Sequence, residues 1–193
     1  MFIRDVAGGD LVGWLDRRLQ AAASPGPGRL AARRTAVLAP LKEVYGLSDK
    51  VLMVALSNLL LGAPLRRGWA DVGASMIAVD TLVHNFLHRT GILHRLDASH
   101  AYGPACYRPG GCADIIQAVA ERIDARAFNP VFPAVFPRFV QIAIWEYCAQ
   151  QGRNICNGNR IDDRQRCANT ECSLYSICDR EVLYTAKQLL NNS

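Results

Sequence analysis

The sequence has no apolar run long enough to cross a bilayer. Its best candidate, residues 51–62, reads VLMVALSNLLLG, is far shorter than the roughly 20 residues of a spanning helix, and carries Ser57 and Asn58. The opening stretch MFIRDVAGGD also lacks the basic segment followed by an apolar segment that marks a secretory signal. These absences predict a cytoplasmic protein with no membrane partner, in which thiols stay reduced and disulfides are not expected.

Internal repeats are not visible, and strand-like alternation of apolar and polar residues is nearly absent. Half of the residues are hydrophobic and 20% are charged, which is typical of a globular chain and argues against disorder. Apolar residues instead recur at helical spacing, so we expect an all-α fold. Helices are predicted over 11–23, 30–44, 48–62, from 80 onward, 113–127, from 137 to 151, and 180–190, with loops over 63–75 and 94–112. We expect one compact unit with two parts, 1–79 and 80–193.

Cysteines are concentrated near the carboxyl end. Four of the seven follow the spacing Cys-x10-Cys-x4-Cys-x5-Cys, and they are Cys156, Cys167, Cys172 and Cys178. Thiolates are soft ligands that suit either tetrahedral zinc or an iron–sulfur cluster. Structural zinc sites usually use CxxC pairs, and none occurs here, so the spacing favours a [4Fe-4S] cluster with zinc as the alternative. Buried free thiols are disfavoured because the residues between the cysteines are so polar.

This cysteine segment resembles the carboxyl-terminal iron–sulfur loop of the endonuclease III family of helix-hairpin-helix DNA glycosylases. Gly152, Arg153, Cys156 and the pair Cys172 and Cys178 match the family pattern. The family spacing Cys-x6-Cys-x2-Cys-x5-Cys has shorter first and second gaps than this chain. The resemblance implies a helical fold that ends in a [4Fe-4S] loop.

Two upstream motifs occur in the order that the family has them. The segment MIAVDTLVHNFLHRTGI resembles the one with the catalytic aspartate, which places Asp80 in that role, and Asp80 is also a good helix N-cap. The segment VYGLSDKVLMVALSNLLLG resembles the helix-hairpin-helix, with Gly46 at the first hairpin glycine and Ser48 replacing the second. Lys50 falls where lyase members carry their Schiff-base lysine, although most lysines in a first helical turn are merely solvated.

The resemblance implies a DNA glycosylase that excises a damaged or modified base from double-stranded DNA, with AP-lyase activity if Lys50 is a nucleophile. A tight hairpin at Gly46 and Ser48 would bind a phosphate through backbone amides. Arginines of the cysteine segment would contact the DNA backbone if they are not simply a solvated surface, and they are Arg153, Arg160, Arg164 and Arg166. The net charge of +5 permits such a partner. We expect a monomer.

Two other functions stay open. One is a noncatalytic iron–sulfur protein that binds DNA, because the chain before the hairpin is shorter than the helical lobe of the family. The other is a zinc protein of unrelated function. Tyr102 and Tyr107, in the 94–112 loop, are the candidates for stacking on an extruded base.

A second group of possible metal ligands precedes the cysteine segment. His84 and His88 are four residues apart on one predicted helix face, and His100, Cys106 and Cys112 follow in the loop. We do not expect a metal here because no outer-shell partner is readable in the sequence. Neighbouring apolar residues of the helix instead predict that one histidine is partly buried. Cys148 lies in an apolar helix and is expected to be core.

Overall fold

The computed structural model of the chain describes residues 2–22, 25–26, 28–44, 46 and 48–184. All regular secondary structure within these ranges is helical, which confirms the all-α prediction. The helices are α1 Phe2–Asp5, α2 Leu11–Ala21, α3 Arg29–Lys42, α4 Asp49–Leu61, α5 Arg67–Ala74, α6 Thr81–Arg89, α7 Ile92–Arg95, α8 Cys112–Ala120 and α9 Pro137–Cys148, with 3-10 turns at Pro104–Tyr107 and Ala125–Ala127. None of these helices combines the length and the apolarity that crossing a membrane requires.

Side-chain caps fix the starts of α4 and α6. The Ser48 hydroxyl accepts a hydrogen bond of 3.3 Å from the Val51 amide at the start of α4. The Asp80 carboxylate accepts one of 2.9 Å from the Val83 amide at the start of α6. Each bond satisfies an amide that has no partner within its own helix. The predicted N-caps at Ser48 and Asp80 are confirmed.

Several predicted elements are wrong in type or in extent. The sequence predicts a loop over 63–75, but α5 forms there because Trp69 and Val72, three residues apart, share one buried face. The predicted helix 113–127 ends at Ala120, and Asp124 starts a separate 3-10 turn by accepting from the Arg126 amide at 3.0 Å. The last long helix ends at Cys148 instead of residue 151. Of the predicted helix 180–190, residues 180–184 are not helical and the others lie outside the described residues.

The first compact unit comprises residues 1–78 and 119–139. Its helices α2 to α5 pack around a core of large apolar side chains that includes Trp14, Leu15, Leu60 and Trp69. A smaller aromatic group forms where Phe132, Phe136 and Phe139 meet. The first unit therefore takes up the segment 119–139, which the division of the sequence at residue 79 had assigned to the second part.

The second compact unit comprises residues 79–118 and 140–193. All seven cysteines and all four histidines of the chain lie within these ranges. Beyond Cys148 its described chain forms turns and bends without a helix. This segment returns to the end of α6, where the Glu181 amide donates to the Arg89 carbonyl at 2.9 Å. An ion pair between Arg95 and Asp179 strengthens the same attachment.

Candidate metal centres

Helix α6 supplies a functional candidate at each end and one in its middle. Asp80 caps its first turn, His84 lies one turn further along, and Arg89 is its last residue. The sequence predicts a buried face made of apolar residues, whereas His84 and Arg89 are both buried, with 5% and 3% exposure. Buried polar side chains need partners. Their surroundings form two separate groups of soft metal ligands, both in the second unit.

The first group, called here the His/Cys centre, comprises His84, His100, Cys106 and Cys112. Its ligand atoms all lie within 4.8 Å of one another, and three of the four residues are buried. His84 Nδ1 lies 3.4 Å from Cys112 Sγ and 3.5 Å from Cys106 Sγ, and His100 Nε2 lies 3.4 Å from Cys112 Sγ. Imidazole nitrogen and thiolate sulfur are ligands that zinc prefers. This centre can hold a metal ion.

Burial sets the protonation of two members of the His/Cys centre. Burial lowers the pKa of His84 to about 4, and the neighbouring His100 adds to the effect. His84 is therefore a neutral imidazole at neutral pH, which is the form that binds metals. Burial also raises the pKa of the Cys112 thiol, followed by the effect of the nearby Cys106.

The sequence shows no outer-shell partner for a second metal. The structure provides one, because His100 Nδ1 lies 2.6 Å from the carbonyl oxygen of Ala98. A repeated gap of five residues, from His100 to Cys106 and from Cys106 to Cys112, was the available signal in the sequence. The predicted burial of one histidine is confirmed for His84. His88 is not in the centre and lines a separate cleft with His94 and Glu181.

The second group is the predicted ligand set of the carboxyl-terminal segment. The four cysteines line one cavity, called here the cysteine cavity, together with side chains from α6 and α9. Its other walls are Phe86, Arg89, Thr90, Tyr147, Ile155, Ile161, Asn169 and Leu174. Residues far apart in the segment thus face a common space, as the sequence predicts for ligands of one inorganic group.

Hydrogen bonds to sulfur surround the cysteine cavity. The Tyr147 hydroxyl lies 3.1 Å from Cys172 Sγ, and the Arg180 amide donates to Cys178 Sγ at 3.4 Å. A hydrogen bond from Cys148 lowers the pKa of Cys156, and the Arg89 guanidinium acts in the same direction. Cys148 itself is fully buried, as predicted, and lies beside this ligand set.

Among the residues that the structure describes, Arg89 is the one cationic side chain in the wall of the cysteine cavity. It forms an ion pair with Asp163, but its Nη1 atom is buried and has no hydrogen-bond partner among the described residues. A buried guanidinium that is not fully paired is unfavourable by several kcal/mol on the order-of-magnitude scale for buried ions. An anionic occupant of the cysteine cavity would relieve this penalty, and a thiolate-ligated iron–sulfur cluster is anionic. The residues present therefore fit that group.

Two tyrosines of the 94–112 loop lie near Asp80. The Val79 amide donates to the Tyr107 hydroxyl at 2.9 Å, directly before Asp80 in the chain. Burial raises the pKa of Tyr102 and of Tyr107, and the Asp80 carboxylate contributes to both shifts. Both rings are more than 40% exposed, with values of 44% and 43%. The structure thus brings the predicted base-stacking candidates beside the predicted catalytic carboxylate.

The other predicted site residues lie on surfaces. Lys50 is exposed in the first turn of α4, in the first unit, and is not grouped with Asp80 of the second unit. Gly46 has a φ of +87°, as a tight turn requires, while the adjacent positions 45 and 47 lie outside the described residues. The arginines of the cysteine segment are all exposed, and they are Arg153, Arg160, Arg164 and Arg166.

No family model, curated protein or solved structure matches this chain. Its resemblance to helix-hairpin-helix glycosylases therefore stays a prediction from the sequence motifs.

Proposed function

We propose that the protein is an iron–sulfur DNA glycosylase in which Asp80 assists cleavage of the N-glycosidic bond of an extruded nucleotide. The observation that carries this proposal is the position of helix α6. Its first turn is capped by Asp80, and its last residue, Arg89, lines the cavity that the four cysteines share. A group bound in that cavity would therefore fix the end of the helix that presents the carboxylate.

The proposed cluster ligands are Cys156, Cys167, Cys172 and Cys178. In the described part of the chain, the ligand atoms of these four cysteines do not form a group as closely spaced as that of the His/Cys centre. A cluster does not need that spacing, since its iron atoms stand apart from one another. The cluster would supply structure and positioning, because four protein ligands leave no iron open to a substrate. Arg89 would offset part of its negative charge.

Within the described part of the chain, only one oxygen of the Asp80 carboxylate takes part in a hydrogen bond, which leaves the other for chemistry. Its Oδ1 accepts the capping bond from Val83, which holds the carboxylate in place. Hydrolysis breaks the bond between the sugar carbon and the base nitrogen, the oxygen of water adds to that carbon, and a water proton leaves with the base. Positive charge develops on the sugar during this step, and a fixed carboxylate beside the sugar stabilises it. Tyr102 and Tyr107 would contact the extruded base.

The exposed arginines of the cysteine segment support a contact with the DNA backbone. Two of them, Arg160 and Arg166, line one surface cleft together with Asp162 and Gln165. Phosphate contacts position a duplex and carry no sequence information. The capped turn at Ser48 would add a backbone contact of the kind that helix N-termini make with phosphate.

AP-lyase activity stays a prediction that depends on Lys50. An amine attacks a sugar carbon only in its neutral form, which burial or a neighbouring cation normally favours. Lys50 is exposed in this structure. We therefore base the proposal on Asp80 and assign hydrolysis as the first reaction to test.

The test compares wild type with Asp80→Asn in single-turnover reactions on duplexes that carry different damaged bases. Asparagine caps a helix about as well as aspartate, so the variant keeps α6 and loses only the charge. We expect base release to fall by about 100-fold or more. Asp124→Asn is the matched control, since Asp124 also caps a turn but lies in the first unit, and it should release bases at the wild-type rate.

Equal base release by wild type and Asp80→Asn would remove Asp80 from the mechanism. Binding of DNA by both proteins without any base release would instead support a noncatalytic DNA-binding protein. Iron and sulfide analysis tests the cluster separately. Zinc without iron in the cysteine cavity would contradict the iron–sulfur part of the proposal.

A further inference from the structure

We propose that His84, His100, Cys106 and Cys112 bind one structural zinc ion, which clamps the 98–112 loop to helix α6. This ion is separate from any group in the cysteine cavity, because the two centres share no residue. The chain would then hold two inorganic groups of different kinds. The zinc site itself does not depend on the proposed function.

The distances in the His/Cys centre match a tetrahedral zinc site. Sulfur at about 2.3 Å and nitrogen at about 2.0–2.1 Å from one ion, at the tetrahedral angle, lie about 3.6 Å apart. Three of the four nitrogen–sulfur distances in the structure are 3.4, 3.5 and 3.4 Å. All four ligand atoms lie within 4.8 Å of one another, so they are grouped closely enough to surround one ion.

The tautomer of His100 also suits a metal ligand. A carbonyl oxygen only accepts hydrogen bonds, so the 2.6 Å contact with Ala98 places the proton of a neutral His100 on Nδ1. Its Nε2, which points at Cys112, then carries the free lone pair. Metal-binding histidines almost always donate their other ring N–H to a carbonyl or carboxylate in this way.

The charge balance of the site agrees with its burial. When zinc binds, the thiols of Cys106 and Cys112 each release a proton, and the two thiolates neutralise the divalent ion. A neutral complex avoids the large cost of a buried net charge. Two sulfur and two nitrogen ligands in a tetrahedral arrangement favour zinc over the harder metals that oxygen ligands select. Since the protein supplies all four ligands, no position stays open for water, and the site is structural.

The four ligands come from four different elements. His84 lies in α6, His100 in the loop, Cys106 in the 3-10 turn and Cys112 at the first residue of α8. One ion would therefore fix the whole loop against α6. The loop carries Tyr107, which bonds the backbone before Asp80, and Tyr102, whose ring centroid lies 5.8 Å from that of His84. This consequence for the base pocket rests on the proposed function.

The experiment measures the metal content of the full chain purified without chelators. We expect about one zinc per chain in wild type, and a loss of nearly all of it in His100→Asn and in Cys106→Ser. His94→Asn is the matched control because His94 is an exposed histidine outside the centre, and it should keep its zinc. Cys172→Ser should lose iron and keep zinc.

A second measurement does not depend on how the variants fold. Cobalt added to wild-type protein stripped of zinc should give the visible absorption bands of a tetrahedral ion with thiolate ligands, and zinc should abolish them. Wild type without zinc and without this cobalt spectrum would overturn the proposal, as would full zinc in His100→Asn and Cys106→Ser. Neither readout uses base excision. The zinc site can therefore fail while Asp80 proves catalytic, and the reverse is equally distinguishable.

Discussion

The first unit is held by apolar side chains, whereas the second contains every cysteine and histidine of the chain. Leu15, Val37 and Leu60 in the first unit are completely buried and lie in one continuous core. In residues 150–184 of the second unit, only three side chains are buried, Asn157, Ile161 and Cys167. Ordering the backbone costs about 1–2 kcal/mol per residue, and so few buried groups do not offset that cost. Under the proposed function, a cluster bound by the four cysteines would take the place of a core in the carboxyl-terminal segment.

The largest expected effect tests directly whether a bound cluster takes the place of a core in this segment. Cys167→Ser removes one proposed cluster ligand, so we expect iron to fall from about four atoms per chain to a small fraction of that. Amide hydrogen exchange should then become fast throughout 150–184, while the helices α2 to α5 keep the protection of wild type.

Cys148→Ala is the control for this experiment. Cys148 is buried beside Cys156 but does not line the cysteine cavity, and its variant should retain iron. Loss of iron in Cys148→Ala would contradict the assignment of the four cavity cysteines as the ligands. Unchanged protection of 150–184 in Cys167→Ser would show that a cluster does not order this segment.

The converse change is Leu60→Ala in the first unit. Leu60 is completely buried, and removing its side chain leaves a cavity that typically lowers the free energy of unfolding by about 2–5 kcal/mol. Native-state hydrogen exchange of α4 and α5 measures the loss. Iron and zinc contents of the purified protein should stay at wild-type levels, since no ligand lies in this unit. A parallel loss of metal would show that metal binding in the second unit depends on the apolar core of the first.

A smaller effect is expected where the carboxyl-terminal segment meets the end of α6. Gly91 has a φ of +80°, and a Cβ atom there would clash with the carboxylate of Asp179. Gly91→Ala should therefore displace Asp179 from Arg95 and lower the free energy of unfolding by about 1–3 kcal/mol. Faster exchange of the Glu181 amide would report the change locally.

The Gly91→Ala loss combines the clash with Asp179 and the backbone cost of an alanine at positive φ. Gly110→Ala separates these two causes. Gly110 has a similar φ of +78°, but nothing lies within 4 Å of the added Cβ. Its variant should lose only the backbone contribution, about 1–2 kcal/mol, and should leave the Glu181 amide unchanged. Equal effects of both variants on Glu181 would exclude the steric explanation.

The sequence was sufficient where a short-range rule decides the structure. Ser48 and Asp80 were identified as N-caps because a capping side chain acts within three residues of itself. The cysteines of the carboxyl-terminal segment were identified as one set because they follow closely in the chain, and the structure places all four around one cavity.

The sequence was insufficient where a tertiary contact decides. Helix α5 was missed because Arg67 and its two glycines resemble a loop, and only burial of Trp69 and Val72 against the core of the first unit reveals the helix. A metal at the His/Cys centre was not expected because no outer-shell partner can be read from the sequence, and the contact of His100 with the Ala98 carbonyl is visible only in the folded chain. The burial of Arg89 was equally unreadable, since its partner Asp163 is 74 residues away.

The smallest expected effect concerns an ion pair on the first unit. Asp16 accepts hydrogen bonds from Arg66 at 2.5 Å and from the Trp69 indole at 2.6 Å, and the bond from Arg66 lowers its pKa. Because both charged side chains are more than a third exposed, the pair should contribute only about 0.2–1 kcal/mol. A carboxyl with a lowered pKa stabilises the fold above its unfolded-state pKa, and this contribution disappears as the pH falls through the lowered value. The free energy of unfolding of Asp16→Asn should therefore lie slightly below that of wild type at pH 7 and equal it in acid.

Arg66 also stacks over the ring of Trp69 at 4.9 Å, so single variants mix two interactions. A double-mutant cycle with Asp16→Asn and Arg66→Gln isolates the pair, and hydrogen exchange of α2 amides in the full chain supplies the free energies. A coupling well above 1 kcal/mol would mean that polar contacts, as well as apolar burial, stabilise the first unit. The two units would then differ less in what stabilises them. A coupling within the expected range that vanishes in acid would leave the apolar core as the main source of stability there.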